Sequence, residues 1–121
     1  MVLSIIVCTY NRKNFVKLCL ESIIKQVISN NEKKIEIILI DNNSSDNTNQ
    51  IIKEINNSIA ITYHIEKNQG ISFSRNKGIE LSKGEFIAFV DDDAVINDGW
   101  LDALINATET ISAVGFGGPI Y

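Results

Sequence analysis

The chain has 121 residues, a formal net charge of −4 and a hydrophobic fraction of 45%, which is the size and composition of about one globular domain. It has no cluster of Lys and Arg residues, so we expect no nucleic-acid partner. No apolar run approaches the roughly 20 residues of a membrane span, so we expect no transmembrane segment and a cytoplasmic location. Cys8 and Cys19 have neither a disulfide-framework nor a metal-ligand spacing, and they are predicted to be buried, reduced thiols.

The first half of the chain alternates apolar strand-like segments with helical periodicity. Residues 3–8 are apolar and β-branched, which is typical of a buried strand. Apolar residues between 16 and 27 recur at the spacing of one helix face, and residues 35–40 form a second buried strand. A polar turn follows, in which Asp46 is predicted to cap a short helix over 48–55.

The second half continues the same alternation. Residues 60–65 are predicted to form a third strand and residues 71–82 a helix that Gly84 ends. The remaining elements are a strand, a helix and a strand over residues 86–90, 99–108 and 112–116. Strands that are apolar throughout and alternate with helices predict a doubly wound α/β fold, with a mostly parallel sheet and helices on both faces.

Polar residues follow three of the predicted strands: Thr9–Arg12, Asp41–Asn43 and Asp91–Asp93. In an open parallel sheet, ligands bind beyond the carboxyl ends of the strands. Right-handed crossovers bring these ends to one edge. The sequence therefore predicts a rim that combines an aromatic ring, amides and several carboxylates.

The Asp91–Asp93 triplet is the strongest single motif. Two carboxylates separated by one residue at a strand end can hold a hard divalent cation, which takes further ligands from phosphates; a solvated acidic turn is the other interpretation. Asp41 can accept a hydrogen bond from a base or a sugar, or begin a turn. Arg75, near the start of a predicted helix, can bind a diphosphate or form a surface ion pair.

Five motifs occur in order along the chain. They read SIIVCTYNR, DNNSSDNT, NQGISFSRNKG, GEFIAFVDDDA and GWLDAL, at residues 4–12, 41–48, 68–78, 84–94 and 99–104. Together they resemble the N-terminal, nucleotide-binding half of a family 2 glycosyltransferase with the Rossmann-like GT-A fold. The resemblance covers essentially all of the chain. It implies metal-assisted, inverting transfer of a sugar from a nucleotide-diphosphate donor, UDP above all, in cell-envelope polysaccharide biosynthesis.

The same resemblance implies nucleotide-binding roles for particular residues. Thr9 and Tyr10 would line the nucleobase pocket, with Arg12 near it. Asp41 would accept the ring N–H of the base. Arg75 would contact the base or the diphosphate.

The acidic triplet matches the family's D-x-D motif. Asp91 would hold the ribose or the water shell of the metal, and Asp93 the metal itself. Asp92 occupies the variable middle position beside the nucleotide sugar. The implied cofactor, Mg²⁺ or Mn²⁺, would bridge the diphosphate oxygens and stabilise the leaving nucleotide as a Lewis acid.

Some positions depart from the family's commonest pattern. Asn43 and Asn47 stand where Gly is common, and Asn tolerates the left-handed conformation better than other non-Gly residues. Ser74 stands where Ala is common.

Family members carry their general base and acceptor pocket further along the chain. We therefore expect residues 1–121 to form the donor-binding part alone, with the acceptor half and the catalytic base absent. A longer protein would lie in the cytoplasm or at the inner face of the membrane and use a glycan or lipid-linked acceptor.

Two other functions fit parts of the sequence. The chain could be a non-catalytic module that binds nucleotide sugars. It could also be a haloacid-dehalogenase-type phosphatase, in which Asp91 would be the nucleophile after an apolar strand. The sequence has no G-x-G-x-x-G after its first strand and no P-loop, which argues against a dinucleotide dehydrogenase or a P-loop NTPase.

Overall fold

The computed structural model describes residues 2–29, 34–55 and 60–110. These residues form a four-stranded sheet with the strand order β3-β2-β1-β4, in which every neighbouring pair is parallel. The elements are β1 (Leu3–Thr9), α1 (Lys13–Ser29), β2 (Ile35–Asp41), α2 (Gln50–Glu54), β3 (Ala60–Ile65), α3 (Ile71–Leu81), β4 (Phe86–Asp91) and α4 (Trp100–Thr110). The predicted α/β fold is confirmed, and the predicted strand over 112–116 lies outside the described residues.

The register of the strands aligns their carboxyl ends. Thr9 at the end of β1 pairs with Asp41 at the end of β2, and Cys8 pairs with Asp91 at the end of β4. The three polar segments predicted to meet at one edge of the sheet therefore do so, because the strands are parallel and end level with one another.

The two faces of the sheet are covered differently. On the first, which we call the α1 face, α1, α2 and α4 bury β1 and β2 in one large cluster that includes Ile5, Leu20 and Leu101. On the second, the α3 face, the fully buried cluster consists of Ile6, Ile38 and Ile40, with Cys8, Leu81 and Phe89 partly buried against it.

Gly78 allows α3 to approach the sheet closely. A Cβ atom at Gly78 would lie 2.6 Å from Cγ2 of Ile6, well inside van der Waals contact. Gly84 has a different role from the predicted one. The helix ends at Leu81 with Ser82 extended, and Gly84 instead lets its loop pass against β1, where a Cβ would lie 2.7 Å from the Ser4 nitrogen.

Asp46 does not cap α2, contrary to the sequence prediction. That helix begins at Gln50, and its N-cap residue Asn49 makes no side-chain capping bond. Oδ2 of Asp46 instead accepts a hydrogen bond of 3.0 Å from the backbone N–H of Lys13, the first residue of α1, and Oδ1 accepts one from the hydroxyl of Thr48. The carboxylate caps a helix that lies far away in sequence, which a local capping pattern cannot reveal.

The polar turn after β2 uses left-handed residues. Asn43 and Asn47 have φ angles of 64° and 62°, which confirms that Asn serves here in place of Gly.

Candidate functional site

A cavity of about 570 Å³ opens at the carboxyl edge of the sheet, on the α3 face. Its floor is formed by Ile6 and Cys8 of β1 and Phe89 of β4, and the first turns of α3 form one wall. The polar rim consists of the last residues of β1 and β4 and of residues from the loops after β1, β2, β3 and β4, namely Thr9, Tyr10, Arg12, Asn42, Gln69 and Asp91–Asp93. The cavity therefore lies where the sequence predicts ligand binding.

The structure gathers most of the predicted site residues around this cavity. Seven of the eight line it: Thr9, Tyr10, Arg12, Arg75, Asp91, Asp92 and Asp93. Asp41 is the exception: it is not a lining residue, and its carboxylate accepts hydrogen bonds from Ser44 and Tyr63. The binding roles of all eight remain predictions.

Asp92 is the most engaged residue of the acidic triplet. Its side chain is 13% exposed and accepts a hydrogen bond of 2.9 Å from the hydroxyl of Thr9. The Arg12 guanidinium lies 3.6 Å from Asp92 and 3.4 Å from Asp93. Burial raises the pKa of the Asp92 carboxyl, and the hydrogen bond from Thr9 and the charge of Arg12 oppose the rise without cancelling it.

The turn after β4 explains this arrangement. The backbone N–H of Ala94 donates to the carbonyl of Asp91 at 3.0 Å, which closes a tight turn and directs the middle carboxylate back onto β1. Asp91 and Asp93 stay exposed at the rim. The sequence pattern names the three residues, but the turn decides that the middle carboxylate contacts Thr9 and that the outer two stay exposed.

Asp41 is buried, with 2% of its surface exposed, and both of its oxygens accept hydrogen bonds. Oδ1 accepts the backbone N–H of Ser44 at 2.9 Å, and Oδ2 accepts the hydroxyl of Tyr63 at 2.5 Å. Burial and this hydrogen bond to the carboxylate both raise the pKa of Tyr63. The side chain is thus held in a fixed orientation beside the cavity.

Asn42 is a site residue that the sequence reasoning did not single out. Its amide nitrogen donates to the carbonyls of Glu66 and Asn68 at 2.9 and 2.7 Å. Its oxygen accepts the backbone N–H of Gly70 at 2.9 Å. Asn42 therefore connects the end of β2 to the start of α3. Its position in the DNNSSDNT motif is the sequence feature that could have identified it as a site residue.

Asn11 makes the corresponding link between the loops after β1 and β2. Its φ of 50° turns the chain so that its backbone N–H reaches Oγ of Ser44 at 2.9 Å. Its side-chain oxygen accepts the backbone N–H of Ser45 at 2.8 Å.

The start of α3 contributes a basic and a neutral polar group to the cavity. Gly70, with a φ of 135°, is the N-cap and provides no side-chain hydrogen bond. The guanidinium of Arg75 lies over the ring of Phe89, 5.5 Å from its centroid, a cation–π arrangement. Helix N-termini favour negative charge. This wall is therefore electropositive, whereas the rim is acidic.

The two cysteines are both free thiols. Cys19 is buried, as predicted, and burial raises its pKa to about 12. Cys8 is half-buried in the cavity floor, where burial raises its pKa to about 11. Both thiols therefore stay protonated and unreactive at neutral pH.

The exposed carboxylates of Asp91 and Asp93 are hard oxygen donors of the kind that Mg²⁺ and Mn²⁺ bind. In the part of the chain that the structure describes, no three His, Cys, Asp or Glu side chains form a ready-made metal cluster. A cation that takes some of its ligands from substrate phosphates needs only one or two carboxylates, so this donor set fits such a cation.

Comparison with known proteins gives a consistent picture. The family model described as "Glycosyl transferase family 2" matches residues 4–121. A Campylobacter jejuni protein named GalNAc(5)-diNAcBac-PP-undecaprenol beta-1,3-glucosyltransferase is 35% identical over 118 residues, which are 95% of this chain and 37% of that protein.

Solved structures also match. S. aureus TarS in complex with UDP-GlcNAc is 31% identical with a TM-score of 0.75, over 90% of this chain and 32% of that one. A Pyrobaculum calidifontis mannosyltransferase in complex with GDP-Man and Mn²⁺ is 25% identical with a TM-score of 0.78, over 92% and 32%. The chain spans about a third of the length of these proteins.

Proposed function

The chain belongs to glycosyl transferase family 2, and from this premise we propose that it binds a nucleotide-diphosphate sugar, with UDP as the nucleotide. Residues 1–121 would form the donor-binding part of an inverting glycosyltransferase. The observation that carries the proposal is the cavity at the carboxyl edge of the sheet, which seven of the predicted site residues line.

The cavity has a basic wall and an acidic rim, and each suits a different part of a nucleotide-diphosphate sugar. Arg75 and the N-terminus of α3 lie on one wall, where they favour an electron-rich group. The carboxylates of Asp91 and Asp93 lie on the cavity rim, where they repel a bare diphosphate. A divalent cation held by these carboxylates would remove this repulsion.

We assign the cation, Mg²⁺ or Mn²⁺, to Asp93, with Asp91 holding the ribose or a metal-bound water. When bound, it would neutralise the diphosphate and stabilise the leaving nucleotide. Asp92 is held by Thr9 and Arg12 and would instead keep the loop after β1 in place beside the nucleotide. The Mn²⁺ in the P. calidifontis mannosyltransferase structure supports the use of a divalent cation.

Recognition of the base falls to Tyr10, Asp41 and the neighbouring loops. Tyr10 is about half exposed at the cavity rim, and its ring is free to stack on a base. The carboxylate of Asp41 is oriented by Ser44 and Tyr63. Each of its oxygens keeps a second lone pair, with which it would accept the ring N–H of uracil.

We propose that residues 1–121 provide neither the acceptor pocket nor the catalytic base. The undecaprenol in the name of the C. jejuni relative supports a lipid-linked acceptor. We propose that transfer to such an acceptor, or to a glycan, takes place at the inner face of the membrane in cell-envelope polysaccharide synthesis. Among the described residues, no helix combines the length and apolar character needed to cross a membrane.

A non-catalytic nucleotide-sugar module would use the same cavity. It differs from an enzyme in one measurable way, because it would release no UDP from a UDP-sugar when a glycan or lipid-linked acceptor is supplied. The phosphatase alternative has no support from the family match, which includes all of the motifs that it leaves unexplained.

Titration calorimetry with UDP tests the proposal. We expect the chain to bind UDP in the presence of Mn²⁺. Asp93→Asn should weaken binding at least about tenfold, since outer-shell changes alone weaken metal sites by that much. Removing the metal with EDTA should reduce binding by the wild type to the level of the variant.

Asp102→Asn is the matched control, because it removes the same charge from an exposed position on α4. It should bind UDP like the wild type. Equal, metal-independent binding by the wild type and Asp93→Asn would refute the metal role of Asp93. Absence of any UDP binding by the wild type would refute the proposed function.

A further inference from the structure

The hydroxyl of Ser74 stands out among the buried polar groups. The residue is 1% exposed, and Oγ is the one buried side-chain nitrogen or oxygen in the described part of the chain that has no hydrogen-bond partner. Buried polar groups in native proteins are almost always paired, because leaving one unpaired is unfavourable. An orphaned hydroxyl that lines a cavity therefore points to a partner other than the described residues of the chain.

The position of Ser74 shows where that partner would come from. The residue lies in the second turn of α3 and lines the cavity, next to Arg75. The helix N-cap, Gly70, offers no side-chain hydrogen bond. The backbone N–H groups of Gly70 and Ser74 are used within the fold, so the Ser74 hydroxyl is the group of this wall that is left without a partner among the described residues.

The surroundings of Ser74 also limit the chemistry of the partner. The cavity floor beside α3 consists of Ile6, Cys8 and Phe89, which are apolar or carry a protonated thiol. Arg75, whose guanidinium lies over the Phe89 ring, would pair only part of the charge of a diphosphate, and moving a phosphate charge from water onto such a floor is unfavourable unless it is fully paired. A neutral oxygen needs only one donor there.

We propose that the Ser74 hydroxyl donates a hydrogen bond to an uncharged oxygen of the nucleoside, either a base carbonyl or a ribose hydroxyl. This inference rests on the proposed function and adds a specificity-determining residue to it. Ser74 would help the cavity to select a nucleoside, while the acidic rim and its cation hold the diphosphate.

A purely structural role is the competing explanation. Ser side chains in helices can turn back to the carbonyl four residues earlier, which here belongs to Gly70. The backbone N–H of Ser74 already uses that carbonyl, at 3.3 Å. In this case the hydroxyl would matter for the helix and would have no effect on binding.

Ser74→Ala separates the two explanations, since it removes one oxygen and retains the Cβ. By calorimetry with UDP and Mn²⁺, we expect the variant to bind about three- to tenfold more weakly, the usual effect of one neutral hydrogen bond. Ser72→Ala, an exposed change in the same helix, is the matched control and should bind like the wild type.

Thermal unfolding provides a second readout. Without ligand, Ser74→Ala should melt at or above the temperature of the wild type, because the orphaned hydroxyl is gone. With saturating UDP and Mn²⁺, its melting temperature should rise less than that of the wild type. A structural hydroxyl would give the opposite pattern, with a lower melting temperature and an unchanged ligand-induced rise.

Analogues distinguish the two sources of the oxygen. If the contact is to a ribose hydroxyl, the matching deoxy form of UDP should bind equally to the wild type and Ser74→Ala. If it is to a base carbonyl, the difference between the two proteins should persist for every deoxy form. A loss of the same size with inorganic pyrophosphate and Mn²⁺ would place the contact on phosphate and overturn the inference.

Failure of the Ser74 inference and failure of the proposed function give different binding results. UDP binding by the wild type that Ser74→Ala leaves unchanged would overturn the inference and leave the proposed function standing. No UDP binding by the wild type would overturn both.

Discussion

The same strands present apolar side chains on both faces of the sheet, but helices cover the two faces to different extents. On the α1 face, three helices enclose the apolar side chains. On the α3 face, a single helix covers a small buried cluster, and Ile71, Phe73, Ile79 and Ile87 remain exposed around it. The cavity lies on this thinly covered face, so the space for a ligand exists because the sheet is not completely covered there.

The difference indicates that the α1 face mainly stabilises the fold and that the α3 face mainly provides the ligand cavity. The α1 face supplies most of the buried apolar area, the main favourable term in folding, and so holds the strand ends in register. The α3 face buries less apolar area and contributes less stabilisation, and the uncovered part of it forms the floor, one wall and the opening of the cavity. Functional regions are commonly drawn from the less stable parts of a fold.

The largest expected effect compares the same substitution on the two faces. Leu20→Ala, on the α1 face, removes a fully buried side chain and should lower the free energy of unfolding by about 3 kcal/mol. Leu81→Ala, in the partly buried border of the α3 face, should cost about 1 kcal/mol, because less area is lost and no closed void is left. Urea denaturation of both variants measures the two losses. Equal losses would show that the α3 face is as tightly packed as the α1 face.

The next effect concerns the contact between α3 and the sheet. Gly78→Ala places a methyl group 2.6 Å from Cγ2 of Ile6, which is itself fully buried in the central strand. Overpacking of this kind costs about 1–3 kcal/mol, and the better helix propensity of Ala returns at most about 1 kcal/mol. We expect a net loss of about 1–2 kcal/mol in urea denaturation, together with weaker UDP binding as α3 moves outward.

Asn76→Ala, an exposed change on the same helix, is the control and should leave both quantities nearly unchanged. If Gly78→Ala proved as stable as the wild type, the close contact between helix and sheet would not be needed to hold the cavity wall.

The smallest effect concerns the cap of α1. Hydrogen bonds from Thr48 and from the backbone of Lys13 outweigh burial and lower the pKa of Asp46. A carboxyl whose pKa is lowered by folding stabilises the fold above its unfolded pKa of about 4 and loses this contribution as the pH falls through the folded pKa. Asp46→Ala should therefore cost about 1 kcal/mol at pH 7, and the difference from the wild type should shrink below pH 4.

Glu85→Ala, an exposed change, is the control and should show little difference at either pH. A stability difference for Asp46→Ala that stayed constant down to pH 2 would mean that the charge of Asp46 is not what stabilises α1.

The sequence predicted the elements and most of the site, for reasons that are local. Each predicted strand within the described residues matches an observed strand to within one residue, because β-branched apolar runs between polar turns leave few alternatives. The cavity residues could be predicted because parallel strands place their ends at one edge. Asp46 and Gly84 were assigned wrongly, since each makes its decisive contact with a segment more than 30 residues away.

Within the candidate site, the sequence indicated residue types but not their orientations. Nothing in the triplet distinguishes Asp92, which faces the fold, from the two residues beside it. Likewise, the sequence indicates Asp41 but not that Ser44 and Tyr63 donate hydrogen bonds to its carboxylate, nor that the neighbouring Asn42 lines the cavity.

The amino-acid sequence by itself determined the alternation of strands and helices, the parallel sheet and the edge at which polar groups gather. Periodicity and turn composition act over a few residues, so these features can be inferred without coordinates. The tertiary structure alone decided which carboxylates are buried, which face of the sheet stays open and that the hydroxyl of Ser74 has no partner among the described residues. These properties depend on how distant segments pack together, because burial and hydrogen bonding are set by neighbours in space.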